Sequence, residues 1–267
     1  MKLSQAAFAL KTGGLSDPIG IDVRNPELSW RCPGPQTAWQ IRAAATAESL
    51  ENGPYLWDSG RVEGKRSHHH PYGGAPLASR ERVWWPVRVW CRGGEPSVWS
   101  EPAFFEAGLL EHSDWQCVWI GFPGAWSGCG RCFQAKFEAP ETVRKARLYI
   151  AGLGWFESFL NGRRLGDAVL DPAPTDESKS VIYRVFDLGG VLQPGGNVLA
   201  VHAGAGWYVS PITRFQLELD GEVVLKTRPF GYLCGPSGVT RNSIYGGEEY
   251  DEQSDRCQTH GFQKPLF

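Results

Sequence analysis

Acidic side chains cluster at Glu248, Glu249 and Asp251. Paired carboxylates can serve as general acid and general base when their separation suits the reaction. Alternate side chains of a strand share a face, which would set Glu249 and Asp251 about 6.5–7 Å apart. That spacing follows from strand geometry and assigns no catalytic role by itself. The cluster is expected to be structural or solvated, with Glu249 and Asp251 kept as candidate ligand contacts.

Cys129-Gly-Arg-Cys132 is an isolated CxxC. A zinc site needs a second ligand pair, and no His lies close in sequence, although Cys117 offers a third thiol. A redox pair needs a helix start after a strand, which this segment lacks. The seven cysteines are odd in number and irregularly spaced, which predicts reduced thiols rather than a disulfide framework. His68, His69 and His70 precede Pro71-Tyr-Gly-Gly74 and are expected in a loop. No metal and no cofactor is expected.

The chain holds 12 tryptophans, so core and surface positions must be separated. Trp30, Trp39 and Trp90 fall on strand patterns and are expected in cores. Trp155, Trp207 and Tyr208 lie beside Gly152-Leu-Gly154 and Gly204-Ala-Gly206. Aromatic side chains on turns are well placed to stack on a ligand. They are candidate binding residues, together with Asn161 of an Asn-Gly turn. The two Gly-x-Gly pairs lack the third glycine and the following helix of a dinucleotide fingerprint. No Walker motif, nucleophile elbow or His-Glu-x-x-His is present.

The elements that must position these residues are strands. Short strands are expected over 28–31, 37–44, 83–90, 103–107, 181–187 and 197–202. Asn161-Gly162 predicts a hairpin between 155–160 and 163–166. Asp220-Gly221 predicts another between 215–219 and 222–226, because both dipeptides accept the positive φ of a type I′ turn. Pro86 cannot donate to a ladder, so its strand must be an edge or carry a bulge. The one helix candidate, 45–50, is too short to shape the fold. Gly and Pro, at 33 and 19 residues, supply the many turns this pattern needs. The expected fold class is all-β, as tandem β-sandwiches, with a domain boundary near 108–113.

The net charge of −2 gives no electrostatic case for nucleic acid or an anionic membrane. No stretch approaches the ~18 apolar residues of a membrane span. The first ten residues show no signal-peptide pattern, so a cytoplasmic location is expected.

Several segments, in order, resemble the N-terminal region of bacterial α-L-rhamnosidases. Asn25-Pro-Glu-Leu-Ser-Trp30, Gln36-Thr-Ala-Trp-Gln-Ile41 and Leu56-Trp-Asp-Ser-Gly60 resemble its opening strands and first turn. Trp99-Ser-Glu101 and Phe105-Glu-Ala-Gly-Leu109 resemble the end of a fibronectin-III-like module. Ser113-Asp-Trp115 and Trp119-Ile-Gly121 resemble the entry to the next one. Ala146-Arg-Leu-Tyr-Ile-Ala-Gly-Leu-Gly154, Leu160-Asn-Gly-Arg163 and Ala203 to Tyr208 resemble its core strands. Tyr245-Gly-Gly-Glu-Glu-Tyr-Asp251 resembles its exit. The resemblance implies a fibronectin-III or immunoglobulin-like sandwich over 1–108, and a jelly-roll of the carbohydrate-module type over 109–267.

In that family these modules precede a helical (α/α)6 barrel, which cleaves terminal α-L-rhamnose with inversion. An inverting enzyme needs two carboxylates about 6.5–9.5 Å apart. The Arg-Asp-Glu-Arg type motif that supplies them in the family is absent here, as is any dodecad of helices. The resemblance therefore implies an accessory portion with no catalytic residue of its own, working beside a catalytic domain this sequence lacks. After Asp251 the sequence departs from the family pattern, which suggests a truncation, a frameshift or a cut. Trp155, Asn161, Trp207, Tyr208, Glu249 and Asp251 become candidate contacts to a rhamnose-containing glycoside or polysaccharide. The alternative is a stand-alone carbohydrate-binding module; an adhesive fibronectin-like tandem ranks last.

Overall fold

The computed structural model describes residues 5–91, 94–121, 130–208, 211–229, 233–251 and 253. It divides after Asp114 into two units, each with its own apolar core. Among the described residues helix is confined to short turns, and the expected all-β class holds.

In the first unit the strands are β1 Phe8–Thr12, β2 Ile19–Ile21, β3 Glu27–Arg31, β4 Gln36–Ala43 and β5 Trp57–Asp58. They continue as β6 Val62–Glu63, β7 His70–Pro71, β8 Arg82–Trp85, β9 Val87–Cys91 and β10 Ala103–Ala107. One sheet runs β1-β3-β7 and another β2-β10-β8, while β4 pairs with β5, β6 and β9. The strand expected over 83–90 is two strands. Pro86 has no N–H for a ladder, and the chain changes sheets there. β8 before it pairs with β10, and β9 after it pairs with β4. The expected helix is a single turn, Ser49–Asn52. Leu28, Trp39, Ile41, Val83, Trp85, Val87, Val89 and Phe105 fill the core. Trp30, Trp39 and Trp90 are all buried, as their strand pattern predicts.

The second unit contains β11 Ile120–Gly121, β12 Arg131–Ala139, β13 Ala146–Leu153, β14 Trp155–Leu160, β15 Arg163–Arg164 and β16 Tyr183–Asp187. Then come β17 Gly195–Gly204, β18 Ile212–Leu219, β19 Glu222–Lys226, β20 Leu233–Pro236, β21 Val239–Ser243 and β22 Gly247–Tyr250. One sheet runs β11-β18-β13-β16 with β19 on β18; the other runs β15-β14-β17-β12-β20. Strand periodicity explains the packing. Leu148 and Ile150 of β13, with Phe215 and Leu217 of β18, face Phe133, Leu160, Leu199 and Val201 of the other sheet.

The opposite face of β13 and β18 is also buried but polar, so it must be hydrogen-bonded. Arg147 pairs with Asp187 at 2.9 Å, and Gln216 donates to Glu218 at 2.7 Å. Both predicted hairpins form. Asn161 and Gly162 have φ of 51° and 79°, and Asp220 and Gly221 have 49° and 93°. Those signs are what a type I′ turn demands.

The thiols differ from expectation. Cys32, Cys91 and Cys117 are free, but Cys132 is disulfide-bonded. The reduced-thiol expectation is corrected there; Cys129 lies outside the described residues. Odd number and irregular spacing said nothing about which sulfurs the fold brings together.

Candidate ligand-binding cleft

A shallow, solvent-open depression, enclosing only about 10 Å³, lies at one end of the second unit. Its walls come from the β13–β14 turn, the segment after β17, and the stretch 172–175 with 181–182. Trp155, Trp207 and Tyr208 line it together. These three were singled out in the sequence by their glycine neighbours, and the glycines explain the assembly.

Gly154 has φ +101°, and a Cβ there would overlap the Gly204 carbonyl oxygen. A Cβ on Gly152 would stand 2.7 Å from the Phe156 ring. Gly206 has φ +57°, and a side chain there would press on the Trp155 indole at 3.4 Å. The two Gly-x-Gly turns thus pack backbone to backbone, which places Trp155 opposite Gly204 at the strand end. Tyr208 is fixed by a turn in which its N–H donates to Ala205 O at 2.9 Å. Loss of hydration, then the Glu177 carboxylate, pushes the Tyr208 phenol above its ordinary pKa.

The 172–175 lip was not foreseen. It is held by Asp171, which is buried and receives two hydrogen bonds from Arg184, one of them Nε to Oδ2 at 2.6 Å. The Asp171 bond raises the Arg184 pKa. The Asp171 carbonyl accepts from Phe156 N–H at 2.9 Å, tying the lip to β14. Thr175 Oγ1 donates to Ser180 O at 2.6 Å and closes the lip on itself. This support rests on ion-pair and backbone bonds between distant positions, which leave no local sequence signal.

Trp207 is 57% exposed and meets Tyr245, 87% exposed, edge to face at 5.9 Å between ring centroids. Tyr245 sits at the tip of the β21–β22 hairpin, so it extends the aromatic surface beyond the cleft. Sequence reasoning passed over it, although an aromatic beside a Gly-Gly turn was available as a signal.

The other candidates sit elsewhere. Asn161 lies at the far end of β14 from Trp155, a separation of about 20 Å at ordinary strand rise. Its amide is spent on structure: Oδ1 accepts from Val198 N–H at 2.9 Å and Nδ2 donates to Asn197 Oδ1 at 2.8 Å. Glu249 pairs with Arg241 across the hairpin at 2.8 Å. Asp251 Oδ1 accepts from Gln253 N–H at 2.9 Å. Neither acidic residue lines the cleft.

The triple-His run is likewise structural where it is buried. His70 stacks on Trp30 at 4.8 Å and meets Trp39 at a tilt at 4.5 Å, and its Nε2 donates to Arg66 O at 2.9 Å. Among the described residues no group of three or more His, Cys, Asp or Glu is placed to hold a metal ion.

The cleft is predominantly aromatic and apolar, with Thr175 and Tyr208 as its hydroxyls. Such a surface suits stacking against the apolar face of a ring. Its host is an all-β chain of two successive β-sandwich units. Residues 8–111 match the immunoglobulin domain at the N-terminus of Rha78A-like proteins, and residues 141–267 match the α-L-rhamnosidase N-terminal domain.

The chain belongs to the α-L-rhamnosidase family and corresponds to its N-terminal domains. An α-L-rhamnosidase of Formosa agariphila is 31% identical over 93% of this chain and 30% of its own length. The structure of the Dictyoglumus thermophilum α-L-rhamnosidase superposes with a TM-score of 0.87 at 29% identity, over 100% of this chain and 33% of that one. The Streptomyces avermitilis enzyme, solved in complex with L-rhamnose, shares the fold, with a TM-score of 0.84 at 21% identity over 98% of this chain and 44% of that one. The chain thus spans about a third of the length of the curated relatives it matches.

Proposed function

We propose that this chain is the accessory portion of an α-L-rhamnosidase, and that its aromatic cleft contacts the rhamnose-containing glycoside while a separate catalytic domain cleaves it. The observation that carries the reading is the convergence of Trp155, Trp207 and Tyr208 on one cleft, with Tyr245 extending it. The inverting carboxylate pair implied by the family belongs to the catalytic barrel, so the chain by itself is expected to release no nitrophenol from a nitrophenyl rhamnoside. Tryptophan fluorescence during titration with L-rhamnose and aryl rhamnosides tests the contact. A saturable change that disappears in Trp207→Ala supports the reading, and a flat response across the series overturns it.

The exposure of Trp207 and Tyr245 also favours a second reading, a carbohydrate-binding module that works alone. The two separate on context. A stand-alone module holds the glycoside at the same affinity with or without a catalytic domain. An accessory element gains affinity when the catalytic domain is joined to it, and Trp207→Ala then lowers kcat/KM.

A further inference from the structure

Two free cysteines of the first unit stand at neighbouring strand ends. Cys32 follows the last residue of β3, and Cys91 is the last residue of β9. The strands belong to different sheets, β3 to the β1-β3-β7 sheet and β9 to the one built on β4. Both side chains pack against the same apolar core, which also contains Trp39 of β4.

Gln36 brings the two thiols together. Its Oε1 accepts from Cys32 Sγ at 2.9 Å and from Trp30 Nε1 at 2.9 Å. In the β4–β9 ladder Gln36 is the register partner of Cys91. Gly34 lies in the turn between Cys32 and Gln36, and among the described residues Cys91 Sγ is the heavy atom near its open face, 4.0 Å from the position of an added Cβ. Burial raises the Cys32 thiol above its ordinary pKa, a hydrogen bond from Trp30 lowers it, and the proximity of Cys91 raises it again. Immunoglobulin sandwiches commonly join their two sheets by a disulfide beside a core tryptophan on the intervening strand. Here two cysteines and a core tryptophan likewise converge, at the end of the sandwich.

We propose that Cys32 and Cys91 are a disulfide-forming pair that staples the β1-β3-β7 sheet to the sheet built on β4. The oxidant is a small-molecule disulfide. One cysteine thiolate attacks it, a mixed disulfide forms, and a small thiolate leaves. The second cysteine thiolate attacks the protein-side sulfur, the protein disulfide forms, and a second small thiolate leaves. The two protein thiol protons end on the two released thiols, so two thiols are oxidised and one small disulfide is reduced. The bond closes β4 through β9 into one loop and so restricts the unfolded chain.

The test uses the full chain, incubated with glutathione disulfide, alkylated and mapped by mass spectrometry without reduction. The expected result is a cross-linked peptide joining Cys32 to Cys91, two hydrogens lighter than its parts. Oxidation also raises the thermal midpoint of the chain by several degrees, dithiothreitol reverses the rise, and Cys32→Ser abolishes it. Recovery of Cys32 and Cys91 as separate glutathione adducts or alkylated thiols overturns the proposal. So does a link from either one to a different cysteine, or a Cys32–Cys91 link that leaves the midpoint unchanged. The peptide map is read on the wild-type chain, so it stands even where a serine variant folds poorly.

Discussion

The Gly204 carbonyl oxygen fills the space that a Cβ on Gly154 would need, and the Ala205 oxygen lies 3.0 Å from it. The turn from β13 into β14 meets the end of β17, the ladder partner of β14, through this bare approach, and Trp155 and Trp207 flank it in sequence. Gly154→Ala should therefore cost about 2–4 kcal/mol, combining a positive φ with backbone overlap. Gly221 has φ +93° and no atom within 4 Å of an added Cβ. Gly221→Ala should cost only about 1 kcal/mol, the conformational share alone. Urea denaturation of the two variants checks the difference. Equal midpoints would mean that the Gly154–Gly204 approach has slack.

Trp99 forms the centre of an alternating stack on the first unit. Arg42 lies over its ring at 4.8 Å and Arg88 at 4.8 Å, while Arg42 also covers Tyr55 and Arg88 also covers Trp90. The flanking serines complete the structure. Ser100 Oγ accepts from Val87 N–H and Ser97 Oγ from Val89 N–H, each at 3.0 Å. Each exposed cation–π contact contributes about 0.5–1 kcal/mol, so Trp99→Ala should lose about 2 kcal/mol once its packing is included. Ser100→Ala leaves a buried N–H unpaired and should cost about 1–3 kcal/mol. Thermal unfolding of both variants gives the comparison.

Acid should destabilise the first unit in two stages. Burial holds His70 below its ordinary value of 6.5, with the Arg66 carbonyl opposing, and the charges of Arg66 and His68 adding to the depression. The unfolded chain therefore takes up this proton first. Stability is full above about 6.5 and is lost as pH falls through the lower folded-state value. Asp114 and Asp58 are desolvated, which raises their pKa, but hydrogen bonds outweigh that and hold both below 3.8. The bonds come from Ser79, Glu111 and Arg80 to Asp114, and from Gln40, Gly60 and Arg42 to Asp58. Their contribution is present above that value and is lost as pH falls below it. His70→Gln should flatten the first stage and Asp114→Asn the second. Unfolding midpoints measured from pH 8 to 2.5 separate them, and an unchanged slope in His70→Gln would assign the first stage to another group.

Local chemistry made part of this structure legible in the sequence. Asn161-Gly162 and Asp220-Gly221 specify their own turns, so the hairpins could be placed from four residues. Trp30, Trp39 and Trp90 could be assigned to the core because strand alternation needs no partner to be read. Pro86 announced an interruption, but not that the chain would change sheets, since that depends on which strands wait on either side. The cleft was half legible. Glycines beside Trp155, Trp207 and Tyr208 marked aromatic turns, whereas the lip depends on Asp171 meeting Arg184 across an intervening loop. The Cys132 disulfide was invisible for the same reason.

An asparagine in an Asn-Gly turn, such as Asn161, suits either a ligand contact or a structural brace, and it yields the sharpest separation of binding from folding. It was grouped with the aromatic residues as a glycoside contact, yet its side chain bridges the β14–β15 turn to the start of β17. Its Oδ1 receives the Val198 N–H, and its Nδ2 reaches the Asn197 oxygen, itself an acceptor for Gln193 N–H at 3.0 Å. Removing the Asn161 amide takes the acceptor from the Val198 N–H and one of two donors from the almost wholly buried Asn197 Oδ1. Asn161→Ala also meets a φ of 51° that alanine disfavours. The variant should lose about 2–4 kcal/mol of stability and keep the wild-type response to rhamnosides at temperatures where it remains folded. Trp207→Ala should do the reverse, because an exposed ring contributes little to packing. Its thermal midpoint should stay within about 2 °C of wild type, a change below ~0.5 kcal/mol, while glycoside affinity falls about tenfold, the loss of one stacking contact. Fluorescence titration and thermal unfolding on the same two samples decide the matter. If Asn161→Ala abolishes binding while its midpoint holds, the ligand site lies at the β14–β15 end of the unit and the aromatic cleft is a packing feature.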